Sequence, residues 1–319
     1  MSRNARTVLV ASTGGHLKEL HDLAPRLTLP PGPVVWVTND SMQSRSLLAG
    51  QRVLFVPSQW PRNPPTALSN AVRAVRILRA LRPEAVVSTG SGIALSFLPI
   101  GSALGAACHY IESATRVVGP SLTGSILRRV PRVRCYTQHD SWSGRGWEYS
   151  GSVFDVFRSS PRCGDERPVQ RVAVVLGTWT QGFGSLVDRL LRILPEHVET
   201  MWQTGFTDVT QIDIEARPWL SPEDLAAELR RADVVVMHAG MGATLDALEA
   251  GHCPVVVPRR KAAGEQVDDH QIELAKELER RDLAVVRLPE TLQWEDLVQA
   301  ARRRVTVASV DAPPPFVLR

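Results

Sequence analysis

Residues 233–271 read DVVVMHAGMGATLDALEAGHCPVVVPRRKAAGEQVDDHQ, and their pattern decides the fold. The apolar run Val234–Met237 lacks polar alternation, as expected of a strand buried on both faces. HAGMG then turns the chain into ATLDALEA, a helical pattern closed by Gly251. The next β-branched run, Pro254–Val257, stops at Pro258. Strand, glycine turn, helix and strand make a βαβ unit with a parallel pair. Ligands of parallel sheets sit where strand carboxyl ends meet helix N-termini, whose unpaired N–H groups and positive dipole favour anions. Gly240 and Gly242 let backbone approach phosphate oxygens, and Thr244 adds a hydroxyl in the first helical turn. Asp246, with Glu249 three residues on, reads either as an acceptor for sugar hydroxyls or as a complement to the helix dipole.

The rest of the chain repeats this logic. Arg6–Ala11 is a strand followed by STGGH and a helical pattern, Ala85–Thr89 a strand followed by TGSGIA, and Val172–Leu176 a strand followed by GTWTQGFG. None of these turns carries the full G-x-G-x-x-G spacing with an acidic residue on the next strand, which disfavours a dehydrogenase. Strands are also expected at Val34–Thr38, Leu54–Pro57, His109–Glu112 and Ala284–Leu288, and helices at Thr66–Leu81, Ile93–Ala107, Pro222–Arg231, Ile272–Arg281 and Leu292–Arg304. In Thr66–Leu81 the residues Leu68, Val72, Val75 and Leu78 form the apolar stripe. His16, at the start of the first helix, is either a general base or a residue packed on the turn. Glu112, at a strand end, is either a base or the ion-pair partner of Arg116.

At 319 residues the chain exceeds the roughly 250–300 over which one core is usual, so two domains are expected. The polar, proline-bearing stretch Arg158–Pro168 reads as the linker between them and Asp311–Arg319 as a loose or crossing tail. A composition 44% hydrophobic and 22% charged is that of a folded globular protein rather than a disordered one. The cysteines Cys108, Cys135, Cys163 and Cys253 show no C-x-x-C spacing, which argues against structural zinc and a disulfide framework and for a reducing, cytoplasmic setting. The first apolar run is only Val8–Ala11, so no signal peptide is expected, and Ile93–Tyr110 is broken by Pro99, Gly101 and Gly105 and reads as buried rather than membrane-spanning. Residues 1–150 hold 17 Lys+Arg against 7 Asp+Glu, whereas the remainder is net acidic. That basic half suits an acidic partner such as nucleic acid, an anionic membrane or a pyrophosphate-bearing substrate.

The string HAGxG, helix, G-x-x-PVVVPRR, DDHQ resembles the donor-binding segment of glycosyltransferase family 28. STGGH and IESATRVVGPSLTGSILRRV resemble that family's acceptor half, so the chain looks like a fusion of the acceptor-type and donor-type subunits found in the dolichol pathway and in bacterial exopolysaccharide synthesis. The resemblance implies an α/β GT-B fold, two Rossmann-like doubly wound domains facing across a cleft. The acceptor domain is expected at residues 1–157, a linker at 158–170, the donor domain at 171–310 and a tail at 311–319. It also implies an inverting, metal-independent transfer from a UDP-sugar to an acceptor hydroxyl, with a lipid-pyrophosphate-linked saccharide of cell-surface polysaccharide as acceptor. No cofactor, no metal site and no nucleic acid is implied, and the basic half would give peripheral contact with the inner face of an anionic membrane.

On the donor side the resemblance nominates Gly177, Thr178 and Gln181 near the diphosphate, His238, Gly240, Gly242 and Thr244 at the second turn, Asp246 at the ribose, and His270 and Gln271 at the transferred sugar. Arg217–Leu220 would run near the nucleobase. On the acceptor side it nominates Gly14, Gly15, Thr89, Gly90, Ser91, Gly92 and Arg116, with His16 or Glu112 as catalytic base. A GT-B nucleotide-sugar epimerase, a transferase acting on a small natural product and a non-catalytic nucleotide-binding module are the alternatives.

Overall fold

In a computed structural model of the protein, residues 5–58, 64–162, 168–178, 180–266, 269–308 and 314–319 are described. The side chain of Leu68, Cys163, Asp268, residues 163–167 of the expected linker and residues 311–313 of the expected tail lie outside that description. The chain divides into two units, Met1–Asp155 with Ala312–Arg319, and Val156–Asp311.

The first unit alternates strand and helix. β1 (Thr7–Ala11), α1 (Gly15–Leu23), β2 (Val34–Asn39), α2 (Met42–Leu47), β3 (Val53–Val56), α3 (Pro64–Leu81), β4 (Ala85–Gly90), α4 (Gly92–Ala103), β5 (Ala107–Ile111), α5 (Leu122–Leu127), β6 (Val133–Thr137) and β7 (Trp147–Tyr149) follow in order. The strands form one sheet in the order β3-β2-β1-β4-β5-β6-β7, every pair parallel. β1 and β4 are buried along their whole length, as a sheet covered on both faces demands.

Two expectations for this unit are corrected, and one is narrowed. The helix expected over Ile93–Ala107 ends at Ala103, because Leu104 and Ala106 fold their N–H groups back onto Ile100, Gly101 and Ser102, and Ala107 already belongs to β5. In α3 the buried face runs through Asn70, Ala74, Leu78 and Leu81, while Val72 is 46% exposed. The amide of Asn70 occupies a core position by donating to the Pro57 carbonyl at 3.2 Å, so of the expected stripe Leu78 lies on the buried face and Val75 at its edge, while Val72 faces outward. Tail residues 314–319 take the crossing arrangement: they pack on the first unit and are not loose. Phe316 is fully buried, its N–H donates to the Arg26 carbonyl at 2.8 Å, and Arg26 Nε donates to the Pro314 carbonyl at 2.9 Å. The buried hydroxyl of Tyr136 accepts from Arg319 N–H at 2.9 Å. Tyr136→Phe should therefore cost about 1 kcal/mol, measured by urea unfolding; an unchanged midpoint would show that this anchor carries no stability.

The second unit contains β8 (Phe157–Pro161), β9 (Arg171–Val175), α6 (Gly184–Ile193), β10 (Glu199–Gln203), β11 (Ala216–Arg217), α7 (Pro222–Arg231), β12 (Val234–His238), α8 (Met241–Glu249), β13 (Val255–Val257), α9 (His270–Arg280), β14 (Val285–Val286), α10 (Trp294–Ala301) and β15 (Arg303–Val307). Its main sheet runs β11-β10-β9-β12-β13-β14, again all parallel. Val172, Val174, Val234, Val236, Val255 and Val257 meet Leu186, Leu190, Leu297 and Ala300 in a single core.

β8 and β15 pair antiparallel in a separate two-stranded sheet. The stretch read as a patternless linker thus opens as a strand, and the helix expected over Leu292–Arg304 stops at Ala301. In β15 only Val305 is buried while Arg304 and Thr306 are exposed, a strand period too short to stand out beside the helix before it. Among the described residues no helix is long and apolar enough to cross a membrane.

Candidate functional site

In the second unit the chain runs outward from β9 to β10 on one side and continues with β12 on the other, so β9 and β12 are neighbours at the point where strand order reverses. Ligands of open α/β sheets bind at such switch points. Both strands end in glycine turns that start helices. α6 and α8 begin at Phe183 and Gly240 with no side-chain cap, whereas Ser221 caps α7 and Gln293 with Asp296 caps α10. Two helix starts with amides available to an anion therefore lie beside each other.

His238 joins the two turns. A Cβ on Gly177 or on Gly240 would overlap its imidazole, so the ring sits in space that only glycine leaves open on both sides. Gln271 fixes its tautomer: Arg259 N–H donates to Gln271 Oε1 at 3.0 Å, which leaves Gln271 Nε2 to donate to His238 Nδ1 at 3.4 Å. The proton then resides on Nε2, the nitrogen nearest Gly177. Burial, followed by the charges of Arg259 and His270, lowers the His238 pKa to about 3. The ring is thus a neutral hydrogen-bond donor throughout the physiological range.

The other donor-side candidates fall at different depths. Thr178 is exposed and Gln181 half-buried on the first turn, Gly242 and Asp246 are half-buried on α8, Glu249 is exposed, and His270 is half-buried where α9 starts. Gln271 lies inside α9, 3% exposed, with both ends of its amide engaged. Thr244 is fully buried and its hydroxyl has no partner among the described residues, so it faces the core rather than the surface of the turn. Arg217 bonds Glu215 and Glu228, and the exposed rings of Trp219 and Phe206 stand edge to face at 5.6 Å.

The first unit shows the same construction. β1 and β4 flank its switch point, and α1 and α4 start at Gly14 and Ser91 without side-chain caps. The two turns touch: Ser12 N–H donates to the Gly90 carbonyl at 3.0 Å, Thr89 Oγ1 donates to the His16 carbonyl at 2.8 Å, and a Cβ on Gly90 would lie 3.2 Å from the His16 ring. Gln43 holds Gly14 from the side by accepting from its N–H at 2.6 Å. Gly14, Gly15, His16, Thr89, Gly90 and Ser91 therefore form one cluster, with Gly92 half-buried at the start of α4.

Glu112 is placed differently. It is 1% exposed and accepts from Tyr110 Oη at 2.9 Å and from Ser121 N–H at 2.8 Å, which makes it a brace under α5. Burial raises its pKa against those bonds and the more distant charge of Arg116. Behind it lies Glu19, wholly buried on α1, accepting from Ala114 N–H and Gln138 Nε2, both at 2.7 Å, with its pKa pushed up to about 7 by burial.

Glu19 and Arg259 are the residues that sequence reading passed over. Glu19 sits three residues after His16 and reads as an ordinary surface carboxylate of an amphipathic helix. Arg259, in PVVVPRR, gains no role from the pattern of that string, although a charged residue directly after a buried strand and a proline is a signal of burial with a purpose.

Residues 172–304 match the family model for the glycosyltransferase family 28 C-terminal domain, which falls on the second unit. The chain is 51% identical over 59 residues to the UDP-N-acetylglucosamine transferase subunit ALG13 of Yarrowia lipolytica, a match spanning 18% of this chain and 28% of that protein. It is 26% identical over 98% of its own length, and 91% of the relative's, to the UDP-N-acetylglucosamine–N-acetylmuramyl-(pentapeptide) pyrophosphoryl-undecaprenol N-acetylglucosamine transferase of Alkalilimnicola ehrlichii. Among solved structures, MurG of Acinetobacter baumannii superposes with a TM-score of 0.60 at 23% identity, covering 92% of this chain and 89% of that one, which gives the GT-B fold. The second unit of the chain is thus matched by the C-terminal domain of glycosyltransferase family 28.

Proposed function

We propose that the protein transfers N-acetylglucosamine from its UDP-sugar to a hydroxyl of a lipid-pyrophosphate-linked acceptor. The reading rests on one observation above the others: a unit matching the family 28 domain presents two uncapped helix starts side by side at its switch point, joined by the neutral imidazole of His238. The relatives' names supply the donor sugar and the lipid pyrophosphate.

In this reading the second unit holds the UDP-sugar, its diphosphate against the amides at the starts of α6 and α8 and its ribose near Asp246. The first unit, basic in composition, receives the pyrophosphate-bearing acceptor at the Gly14–His16 and Thr89–Gly92 turns and works at an anionic membrane face. The acceptor oxygen forms the new bond to the anomeric carbon as the bond from that carbon to the diphosphate breaks. The acceptor's proton passes to His16 and the electron pair leaves with UDP. A single displacement inverts the anomeric carbon. Negative charge growing on the diphosphate is met by helix amides and the His238 N–H, so the chemistry proceeds without a divalent ion. His16 serves as base better than Glu112, because Glu112 is sealed by Tyr110 and Ser121.

A thermal-shift panel tests the donor assignment, since a ligand bound only by the folded state raises the melting point. UDP-N-acetylglucosamine should raise it more than other UDP-sugars or TDP-glucose, and a panel without any response would contradict the reading. His16→Ala should lower turnover by about 100-fold or more while leaving the UDP-sugar shift in place. Unchanged turnover would remove His16 from the chemistry, and conversion of UDP-sugar in the absence of acceptor would favour an epimerase.

A further inference from the structure

Arg259 is 1% exposed at the end of β13, and no carboxylate bonds to it among the described residues. Its guanidinium lies over the Phe183 ring at 4.8 Å. Nη1 donates to the carbonyls of Gln181 at 2.5 Å and Gly182 at 2.8 Å, and Nη2 donates to the carbonyl of Leu176 at 2.8 Å. Nε is buried and has no partner among the described residues. Burial lowers the pKa only to about 10, so the group remains a cation at neutral pH.

A buried cation is costly, and here carbonyl oxygens and the more distant charge of Glu265 offset part of that cost. What the cation grips is the turn between β9 and α6. The opposite side of the same turn is held by Gln203 Oε1, which accepts from Gly177 N–H at 2.9 Å, and by Thr207 Oγ1, which accepts from Phe183 N–H at 3.1 Å. In a trans peptide the carbonyl and the following N–H point in opposite directions. Drawing the Gln181 carbonyl towards Arg259 therefore turns the Gly182 amide away from it.

We propose that Arg259 is the positioning residue for the diphosphate of the donor: it sets the orientation of the 176–183 turn from beneath and places a positive charge behind the amides that meet the phosphates. Its main-chain N–H also starts the chain through Gln271 to His238, so one residue aligns both glycine turns. Lysine cannot reproduce this, because a point ammonium lacks the planar fork that reaches three carbonyls together. This inference rests on the nucleotide-sugar reading given above.

The experiment is calorimetric titration of the full chain with UDP and, separately, with uridine at one ionic strength, for the wild type, Arg259→Lys and Phe183→Leu. A residue acting on the phosphates changes the ratio of the two affinities, whereas a residue that only supports the fold moves both together. In Arg259→Lys the UDP affinity should fall at least about tenfold with uridine affinity within about twofold, and Phe183→Leu should shift the ratio in the same direction by less. If Arg259→Lys does not fold, Phe183→Leu carries the test. Equal losses for both ligands, or none, would overturn the role of Arg259. A wild type that binds neither UDP nor uridine would overturn the donor reading itself and Arg259 with it.

Discussion

Gly177→Ala should abolish the UDP-sugar response and lower the melting point of the second unit by about 5–10 °C. Two costs combine at this position. The backbone has φ +78°, where an L side chain loses about 1–2 kcal/mol, and the added Cβ would overlap the His238 imidazole. Nothing on that side yields easily, because the ring is also confined by Gly240 and tied through Gln271 to the main chain of Arg259. Displacing a close-packed group of this kind adds roughly 1–3 kcal/mol. Loss of ligand binding follows from geometry rather than from instability, since the His238 N–H and the first turn move together. Gly119→Ala is the control: nothing lies within 4 Å of its Cβ, so both melting point and ligand response should stay at wild-type values. A Gly177→Ala protein that melts normally and still responds to UDP-sugar would show that the two turns are not locked through His238.

The second large effect belongs to Glu19, and it depends on pH. Its carboxyl rises from the ordinary 4.5 to about 7 in the folded protein, chiefly by burial and in part by the charge of Glu112. Below pH 4.5 the group is protonated in both folded and unfolded chains and contributes nothing to pH dependence. Between 4.5 and 7 the unfolded chain gives up the proton while the folded one keeps it, so stability falls as pH rises, and above 7 the penalty is constant. Over that window the loss amounts to roughly 3 kcal/mol. Glu19→Gln removes it while keeping an oxygen for Ala114 N–H and Gln138 Nε2. The new NH₂ replaces Oε2, which accepts no hydrogen bond in good geometry among the described residues, and burying it without an acceptor returns about 1 kcal/mol. The variant should therefore be more stable than wild type by about 2 kcal/mol at pH 8, with the advantage fading as pH falls through 7 towards 4.5. A stability difference that does not change across that range would show that the proton is not held in the folded state.

How much was legible in advance follows from the physics of each signal. The parallel sheets were readable because Val234–Met237 and Val172–Val175 are unbroken apolar, valine-rich runs, and the site turns were readable because glycines mark strand-to-helix corners wherever they fall. Strand order was not readable from any residue, yet it brings β9 beside β12 and β1 beside β4, so that the glycine turns meet in pairs. The β8–β15 pair was missed because two short polar strands far apart in sequence carry no period long enough to count. Thr244 was placed on the phosphate side because helical position alone does not give the face on which a hydroxyl lies, and the structure buries it. Arg259 and Glu19 stayed unnoticed for a related reason. Burial of a charged side chain depends on neighbours contributed by distant segments, here Phe183 for the arginine and Gln138 for the carboxylate.

The proposal that the second unit grips a sugar nucleotide by backbone amides is tested most directly by amide hydrogen exchange with and without UDP-N-acetylglucosamine. Added ligand should slow exchange at residues 180–186 and 240–244, at the starts of α6 and α8, with little change at α7, whose start Ser221 already caps. Protection absent from both helix starts, or confined to the first unit, would contradict the account.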